Sequence, residues 1–245
     1  VTNDSTPTFT GTVDANAIVE LVDNTVSTLA STTVGSSGIW TLTSPELNDG
    51  VHSITVTAYF FSDSDKAYSS ALSVTVDTSK PLVSVPDLDP SSDSNVTTDN
   101  VTTDTTPTFT GTAEAGTTVT IYANDLSIAS GTATNGTYSI TPSSTLSNGT
   151  YLVTSASMDT SANISATSSA LTLYIDTSSP LISTISSISA DEGATVPLSV
   201  SFTDASPQSQ SRTASINWGD GTTNSGTVSF AVGSGTVTGS HVYAT

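Results

Sequence analysis

Few side chains of this sequence could carry out catalysis. The 245 residues contain no cysteine and only two histidines, His52 and His241, so a thiolate nucleophile or a zinc–thiolate site cannot be built. No serine lies in a Gly-x-Ser-x-Gly pattern with the partners of a catalytic triad. His52 falls on the inward face at a predicted strand start, where packing or capping is the expected role, and His241 is also expected to be structural. These residues predict a protein that is not an enzyme.

The acidic residues are the best candidates for binding chemistry. The sequence has 22 aspartates and glutamates but only three lysines and arginines, which gives a formal net charge of −19. This charge disfavours nucleic acid and anionic lipid as partners. Two interpretations stay open: a solvated acidic surface, or acidity partly neutralised by bound Ca²⁺, which prefers carboxylate and carbonyl oxygens.

Two copies of one repeat organise most of the chain. Residues 6–12 read Thr-Pro-Thr-Phe-Thr-Gly-Thr and recur without change at 106–112, and the Asp-Thr-Ser-x-Pro-Leu of residues 77–82 recurs at 176–181. A spacing of about 100 residues is the size of one immunoglobulin-like sandwich. The predicted modules are 1–79, which lacks a counterpart of residues 82–100, and 80–179.

Alternating apolar residues predict short β-strands within each repeat. Val19 and Leu21 point inward on one strand, Trp40 is assigned to the core on another, and Leu72 and Val76 are expected inside on the last. Val, Ile and Thr dominate these segments, and β-branched side chains favour pleated sheet. The predicted fold class is all-β, an extended array of tandem immunoglobulin-like β-sandwiches.

A different pattern begins after Pro180. Val196, Val200 and Phe202 alternate along a predicted strand, and Trp218-Gly-Asp-Gly is a strand running into a turn. Residues 180–245 are therefore predicted to be a third module that lacks its last strands. An incomplete sandwich exposes an unpaired strand edge, so we expect either further residues beyond 245 or a strand exchanged with another chain.

The calcium candidates fall mainly at the two predicted junctions. Short connections leave the orientation of neighbouring modules soft unless something clamps them, and an exit aspartate with nearby loop oxygens could supply a Ca²⁺ site of modest affinity. The second junction is assigned Asp176 with Asp159 and Asn163. The first junction is assigned Asp77 with Asp63 or Asp65. A separate candidate cluster precedes the second module: Asp87, Asp89, Asp93 and Asp99.

The two repeats resemble bacterial Ig-like modules, which occur in long tandem arrays in large surface adhesins and biofilm proteins. The residues that carry the resemblance are the 6–12 motif and its copy, the strand start at 148–151, the loop 159–163 and the Asp-Thr-Ser-x-Pro exits. Segment 180–245 resembles a PKD-like (polycystic-kidney-disease-like) domain through Asp-Glu-Gly at 191–193, Trp-Gly-Asp-Gly at 218–221 and Gly-Ser-His-Val-Tyr at 239–243.

These resemblances imply a secreted or bacterial cell-surface protein that acts as a structural or adhesive spacer. Its expected partners are neighbouring modules of the same chain and an unknown surface ligand, either protein or glycan, with no direct insertion into the membrane. The alternatives are an accessory segment of a secreted hydrolase, or a subunit of a surface layer or filament. Fold alone does not decide between them.

Overall fold

The computed structural model describes residues 1–23, 26–60, 65–94, 96–191, 193–205 and 212–243. Every element of regular structure within these ranges is a β-strand, and they contain no helix long and apolar enough to cross a membrane. The chain forms two compact units. One comprises Val1–Leu82, Ala113–Thr118 and Ser157–Ala166, and the other comprises Val83–Thr112, Val119–Ala156 and Thr167–Thr245.

Two sheets form the first repeat. The strands are β1 (Thr8–Thr12), β2 (Ile18–Asp23), β3 (Val26–Thr33), β4 (Ile39–Thr43), β5 (Gly50–Tyr59), β6 (Ala67–Tyr68) and β7 (Leu72–Val76). Strand β1 pairs with β4 in one sheet, while β2, β3, β5, β6 and β7 form the other, with β5 pairing antiparallel with β2, β6 and β7. Between the sheets, Val19 and Leu21 of β2 pack against Trp40 and Leu42 of β4 in one apolar cluster. This cluster is the core that the alternation predicts.

The second repeat has counterparts of β1 to β5 and β7, and two short additional strands. Its strands are β8 (Asp87–Leu88), β9 (Val101–Thr102), β10 (Phe109–Thr112), β11 (Thr118–Ala123), β12 (Leu126–Thr132), β13 (Thr137–Ile140), β14 (Gly149–Met158) and β15 (Leu171–Ile175). One sheet has the order β13-β10-β8 and the other β12-β11-β14-β15-β9. Strand β9 pairs in parallel with the end of β15, and in the first repeat Thr2 forms the matching parallel bridge to Val76.

The third segment forms one antiparallel sheet. Its strands are β16 (Leu181–Ile182), β17 (Thr195–Asp204), β18 (Ala214–Asn217), β19 (Thr223–Ala231) and β20 (Gly233–Val242), in the order β16-β17-β20-β19-β18. Val196, Val200 and Phe202 of β17 are buried, as their alternation predicts. On the same sheet the rings of Phe202 and Phe230 stack with their centroids 5.7 Å apart.

The all-β class and the tandem sandwich architecture are confirmed. The prediction that Leu72 points into the core is wrong. Leu72 is 56% exposed, whereas Val76 on the same strand is buried. Leu72 is the first residue of β7 and pairs with Ile54, the last residue of β5 in that ladder, so its side chain lies at the end of the strand pair. The predicted module boundaries at 79 and 179 stay a prediction.

Candidate functional site

The exit of the first repeat is held by a cluster of polar side chains. We define the exit cluster as Asp77, Asp159, Ser161 and Asn163, all within one compact unit. Asp77 directly follows β7, and its carboxylate Oδ2 accepts a hydrogen bond from the Ser161 hydroxyl at 2.9 Å. The Asn163 side-chain amide donates to the Asp77 backbone carbonyl at 2.8 Å. The loop 159–163 is thus attached to the exit segment at two points.

Asp159 gives the loop 159–163 its shape. Its Oδ1 accepts the backbone N–H groups of Ser161 at 2.8 Å and Asn163 at 2.9 Å, and its Oδ2 accepts the Asn163 side-chain amide at 2.9 Å. Burial raises the pKa of Asp159, but hydrogen bonds from Asn163 and Ser161 outweigh burial and hold the pKa below its usual value. Ala162 adopts a positive φ of 67°, which closes the tight loop. Asn163 and Ser161 are buried, so their orientation is fixed.

The exit segment of each repeat is also capped by a side chain from the preceding turn. This turn lies before β5 in the first repeat and before β14 in the second. Asp49 accepts the backbone N–H of Thr78 at 2.9 Å and the Ser79 hydroxyl at 2.7 Å, and the Ser79 hydroxyl is the main cause that lowers the pKa of Asp49. In the second repeat Asn148 accepts the Thr177 hydroxyl at 2.9 Å. In the sequence, Asp49-Gly50 and Asn148-Gly149 are pairs typical of tight turns, which does not by itself indicate a capping role. The repeated offset between them and the Asp-Thr-Ser exits was the signal available for their second role.

The predicted grouping at the second junction is corrected. Asp159 and Asn163 were predicted to join Asp176, but Asn163 donates to the Asp77 carbonyl, and Asp159 accepts from Asn163. The reason is the direction of β14: Asp176 follows Ile175, which pairs with Gly149 at the start of that strand, whereas Asp159 follows its other end. Asp176 instead accepts the backbone N–H of Ser178 at 2.9 Å and donates its own N–H to Thr102 at 3.0 Å.

Two further residues, Asp63 and Asp65, were predicted to join Asp77 at the first junction. Asp65 is exposed, and Asp63 lies outside the described residues. Within the described part of the chain, Asp77 also accepts the Ser79 backbone N–H at 3.1 Å.

The acidic cluster before the second module separates into turn caps and one buried acid. Asp89 accepts the Ser91 hydroxyl at 2.6 Å, Asp99 accepts the Val101 backbone N–H at 3.1 Å, and Asp87 lies in β8. Asp93 is only 7% exposed, and no described group hydrogen-bonds its Oδ1. Burial raises the pKa of Asp93. Backbone hydrogen bonds oppose this, and the charges of Asp99 and Asp87 raise it further.

The described residues contain no group of three or more histidine, aspartate and glutamate side chains that could hold a metal ion. In the exit cluster, the acidic oxygens are occupied by N–H and O–H donors of the loop 159–163. A calcium ion would have to displace these donors, so the cluster as arranged does not fit the ion. Calcium binding stays a prediction drawn from the acidic composition.

Both histidines are hydrogen-bonded to acids, which sequence reasoning missed. His52 Nδ1 lies 2.6 Å from Asp23 Oδ2, and His241 Nε2 lies 2.8 Å from Asp220 Oδ2. The His241 ring also stacks on Trp218, with centroids 5.1 Å apart. The Thr222 hydroxyl is the main cause that lowers the pKa of Asp220. Asp23 was detectable in the sequence, because it continues the inward alternation of β2.

Trp40 belongs to the core and not to a ligand platform. It is 8% exposed and is part of the apolar cluster of the first repeat. Its ring covers Gly11 so closely that a Cβ there would lie 2.5 Å from the indole. Tyr138 covers Gly111 in the same way in the second repeat. The glycine in each 6–12 motif is therefore needed for a close ring contact.

The paired sheets and capped exits define a class of protein built from tandem immunoglobulin-like β-sandwich repeats. The chain belongs to the bacterial Ig-like domain family, whose sequence profile matches residues 1–78 and 80–177. No curated protein matches the chain.

Several solved structures are similar to the chain in fold. One is described as "Biofilm associated protein - BSP domain" (18% identity, 73% of this chain, 29% of that chain, TM-score 0.29). Another is described as "Structures of Clostridium thermocellum CbhA fibronectin(III)-like modules" (14% identity, 69% of this chain, 85% of that chain, TM-score 0.42). A third is described as "Crystal structure of tetra-tandem repeat in extending region of large adhesion protein" (23% identity, 96% of this chain, 63% of that chain, TM-score 0.35). The chain spans less than a third of the first of these and less than two thirds of the third.

Proposed function

We propose that the chain is a structural spacer segment of a bacterial surface adhesin, located outside the cell, which holds a binding part of the protein away from the cell surface. Membership of the bacterial Ig-like family in two successive segments supports this role. The single observation that carries the proposal is the exit cluster, in which Asn163 and Ser161 bind Asp77 just after the last strand of the first repeat.

A spacer needs connections that resist bending, because the stiffness of a tandem array is set by its linkers. The connection after β7 is short, and its backbone is bound from both sides by side chains. Asn163 donates to the carbonyl of Asp77, and Asp49 accepts the N–H of Thr78. Ser161 and Asn163 are buried, and hydrogen bonds at buried positions are costly to leave unmade. These contacts supply stiffness from the chain's own residues.

The charge and the side-chain chemistry support the same role. A net charge of −19 favours the solubility of a surface protein and the repulsion between its copies. His52 and His241 are each bound to an aspartate, which holds each ring in place. We therefore propose no reaction for this segment, and we assign ligand binding, whether to protein or glycan, to other parts of the adhesin.

The spacer role can be tested on cells that display the whole adhesin. Deleting the segment that corresponds to residues 1–177 is expected to reduce attachment, because the binding part then lies closer to the cell surface. Replacing the segment with two Ig-like repeats of unrelated sequence is the matched control, and it is expected to restore attachment. Failure of the replacement would show that this segment binds the ligand itself. A catalytic domain in the same reading frame, with attachment unaffected by the deletion, would favour an accessory role in a hydrolase.

A further inference from the structure

The second repeat contains the sequence Asn-Gly-Thr-Tyr twice, at residues 135–138 and again at residues 148–151. Both asparagines, Asn135 and Asn148, are exposed to solvent. Because the four residues are the same in both places, a difference in the reactivity of the two asparagines has to come mainly from the fold around them.

The first of these pairs, Asn135-Gly136, forms a two-residue turn between Thr134 and Thr137. The backbone N–H of Thr134 donates to the carbonyl of Thr137 at 2.8 Å, and the N–H of Thr137 donates to the carbonyl of Thr134 at 3.1 Å. Asn135 has a φ of 53° and Gly136 a φ of 85°, as in the type I′ turns that favour Asn-Gly. Within the described part of the chain, no hydrogen bond holds the Asn135 side chain or the N–H of Gly136. The Asn135 amide can therefore rotate in solvent.

The side chain of Asn148 is held at both of its polar atoms. Its Oδ1 accepts the backbone N–H of Thr177 at 3.2 Å and the Thr177 hydroxyl at 2.9 Å. Its Nδ2 donates to the Ser178 hydroxyl oxygen at 2.9 Å. Rotation of this amide away from the exit segment, toward the main chain of Gly149, would break these hydrogen bonds.

We propose that Asn135 is a site of spontaneous deamidation in the folded protein, and that the exit segment protects Asn148 from the same reaction. In this reaction the backbone nitrogen of Gly136 forms a bond to Cγ of Asn135, and the bond from Cγ to Nδ2 breaks. The amide nitrogen leaves as ammonia, which carries the proton lost from Gly136. Glycine permits this close approach because it has no Cβ. Water then opens the cyclic imide at one of its two carbonyls and gives either aspartate or isoaspartate.

The modification changes the turn directly before β13. Both products add a negative charge, and isoaspartate also adds a carbon atom to the main chain of the turn, close to the buried Tyr138. The first repeat has Ser37-Gly38 at the equivalent place, two residues before Trp40, so its turn cannot react in this way. The inference goes beyond the proposed spacer role and does not depend on it.

The test is incubation of the full chain in mildly alkaline buffer, followed by digestion with pepsin and mass spectrometry of the two Asn-Gly peptides. Asn135 is expected to convert at least about tenfold faster than Asn148, because the hydrogen bonds that hold Asn148 add to the barrier of the reaction. Incubation in denaturant is the matched control and should convert both at the same rate. Equal rates in the folded protein would overturn the proposal, as would an unmodified Asn135 long after the denatured chain has converted fully.

Two variants test the two halves of the proposal separately. Thr177→Val with Ser178→Ala removes the hydroxyl partners of Asn148 and is expected to speed its conversion at least about threefold, with no change at Asn135. An unchanged rate at Asn148 would overturn the protection by the exit segment. Asn135→Ser introduces the residue of the first repeat and should abolish conversion in that peptide, whereas conversion that persists there would overturn the assignment to Asn135. Should the double variant fail to fold, the comparison of the two asparagines in the wild type decides.

Discussion

The pair formed by Asp23 and His52 is expected to make the stability of the first repeat depend on pH. His52 Nδ1 lies 2.6 Å from Asp23 Oδ2, and its Nε2 lies 2.9 Å from the carbonyl oxygen of Asn48. The Asp23 side chain is fully buried and that of His52 is 14% exposed. Both ring nitrogens thus face acceptors, and only the protonated imidazole can donate to both.

The direction of the pH dependence follows from the pKa of His52. The Asn48 carbonyl and then the Asp23 carboxylate raise this pKa above its usual value, against the effect of burial. A group whose pKa is higher in the folded protein stabilises it fully below the unfolded pKa, which is about 6.5 for histidine. This stability is lost as the pH rises through the folded pKa. A charge-assisted hydrogen bond contributes about 1.5–3 kcal/mol, which sets the size of the loss.

The second repeat supplies the matched control for this pair. Tyr151 stands at the position of His52 and donates its hydroxyl to the carbonyl of Ser147 at 2.9 Å, while Ala123 stands at the position of Asp23. The double variant Asp23→Ala/His52→Tyr therefore reproduces the second repeat and should abolish the pH dependence. The single variant His52→Ala leaves a buried carboxylate without this partner and should cost about 3 kcal/mol.

Thermal unfolding between about pH 5 and pH 9 measures the effect. For a domain of this size, 1 kcal/mol corresponds to about 4–8 °C in melting temperature, so the wild-type transition of the first repeat should fall by several degrees across this range. The double variant should show no such fall. The reasoning is refuted if the wild type and the double variant have the same slope, or if the melting temperature of the wild type rises with pH.

Three further changes probe the acidic groups. Asn163→Ala removes the donor to the carbonyl of Asp77 and should lower the free energy of unfolding by about 1–3 kcal/mol, while a loss no larger than that of a Thr145→Ala variant at an exposed position would contradict the role of the exit cluster. Asp93→Asn removes a buried charge and should raise the stability at pH 7 by about 1 kcal/mol. The gain should shrink at low pH, where the wild-type carboxyl is protonated. A gain that is the same at low pH would contradict the presence of a buried charge at Asp93. Calcium at about 10 mM should raise the free energy of unfolding by about 2.7 kcal/mol if a site with a dissociation constant near 10⁻⁴ M exists, and identical melting curves in EDTA and calcium would rule such a site out.

The fold was predictable because its main signals are local or repeated. Alternation along β2 places Val19 and Leu21 in the core whatever the neighbouring strands are, and the repeat of residues 6–12 fixes the size of the unit. The same alternation could have identified Asp23 as an inward acid, two residues after Leu21. Its partner His52 lies on the adjacent strand at an inward position, so the pair was accessible to pattern reasoning once β2 and β5 were taken as neighbours.

The exit cluster was not predictable in the same way. The sequence shows two Asp-Thr-Ser exits and one loop at 159–163 directly after β14. It does not show which of the two exits lies beside that end of β14. That choice requires the antiparallel register of β14 with β15, which no local pattern encodes. The exposure of Leu72 has a similar origin, because alternation gives the face of a strand and not the extent of the sheet that covers it.

The two repeats use different side chains at equivalent positions that have the same geometry. Asp49 and Asn148 accept from the same exit threonine with different side chains, and His52 and Tyr151 donate to the same carbonyl position four residues earlier. Both repeats keep the hydrogen bonds that cap the exit segment and the aromatic ring that covers the glycine of β1 or β10. What differs is a titratable pair in one repeat and neutral groups in the other. A tandem spacer needs repeats with matching ends, because they are joined in series. The stability of each repeat can be set separately.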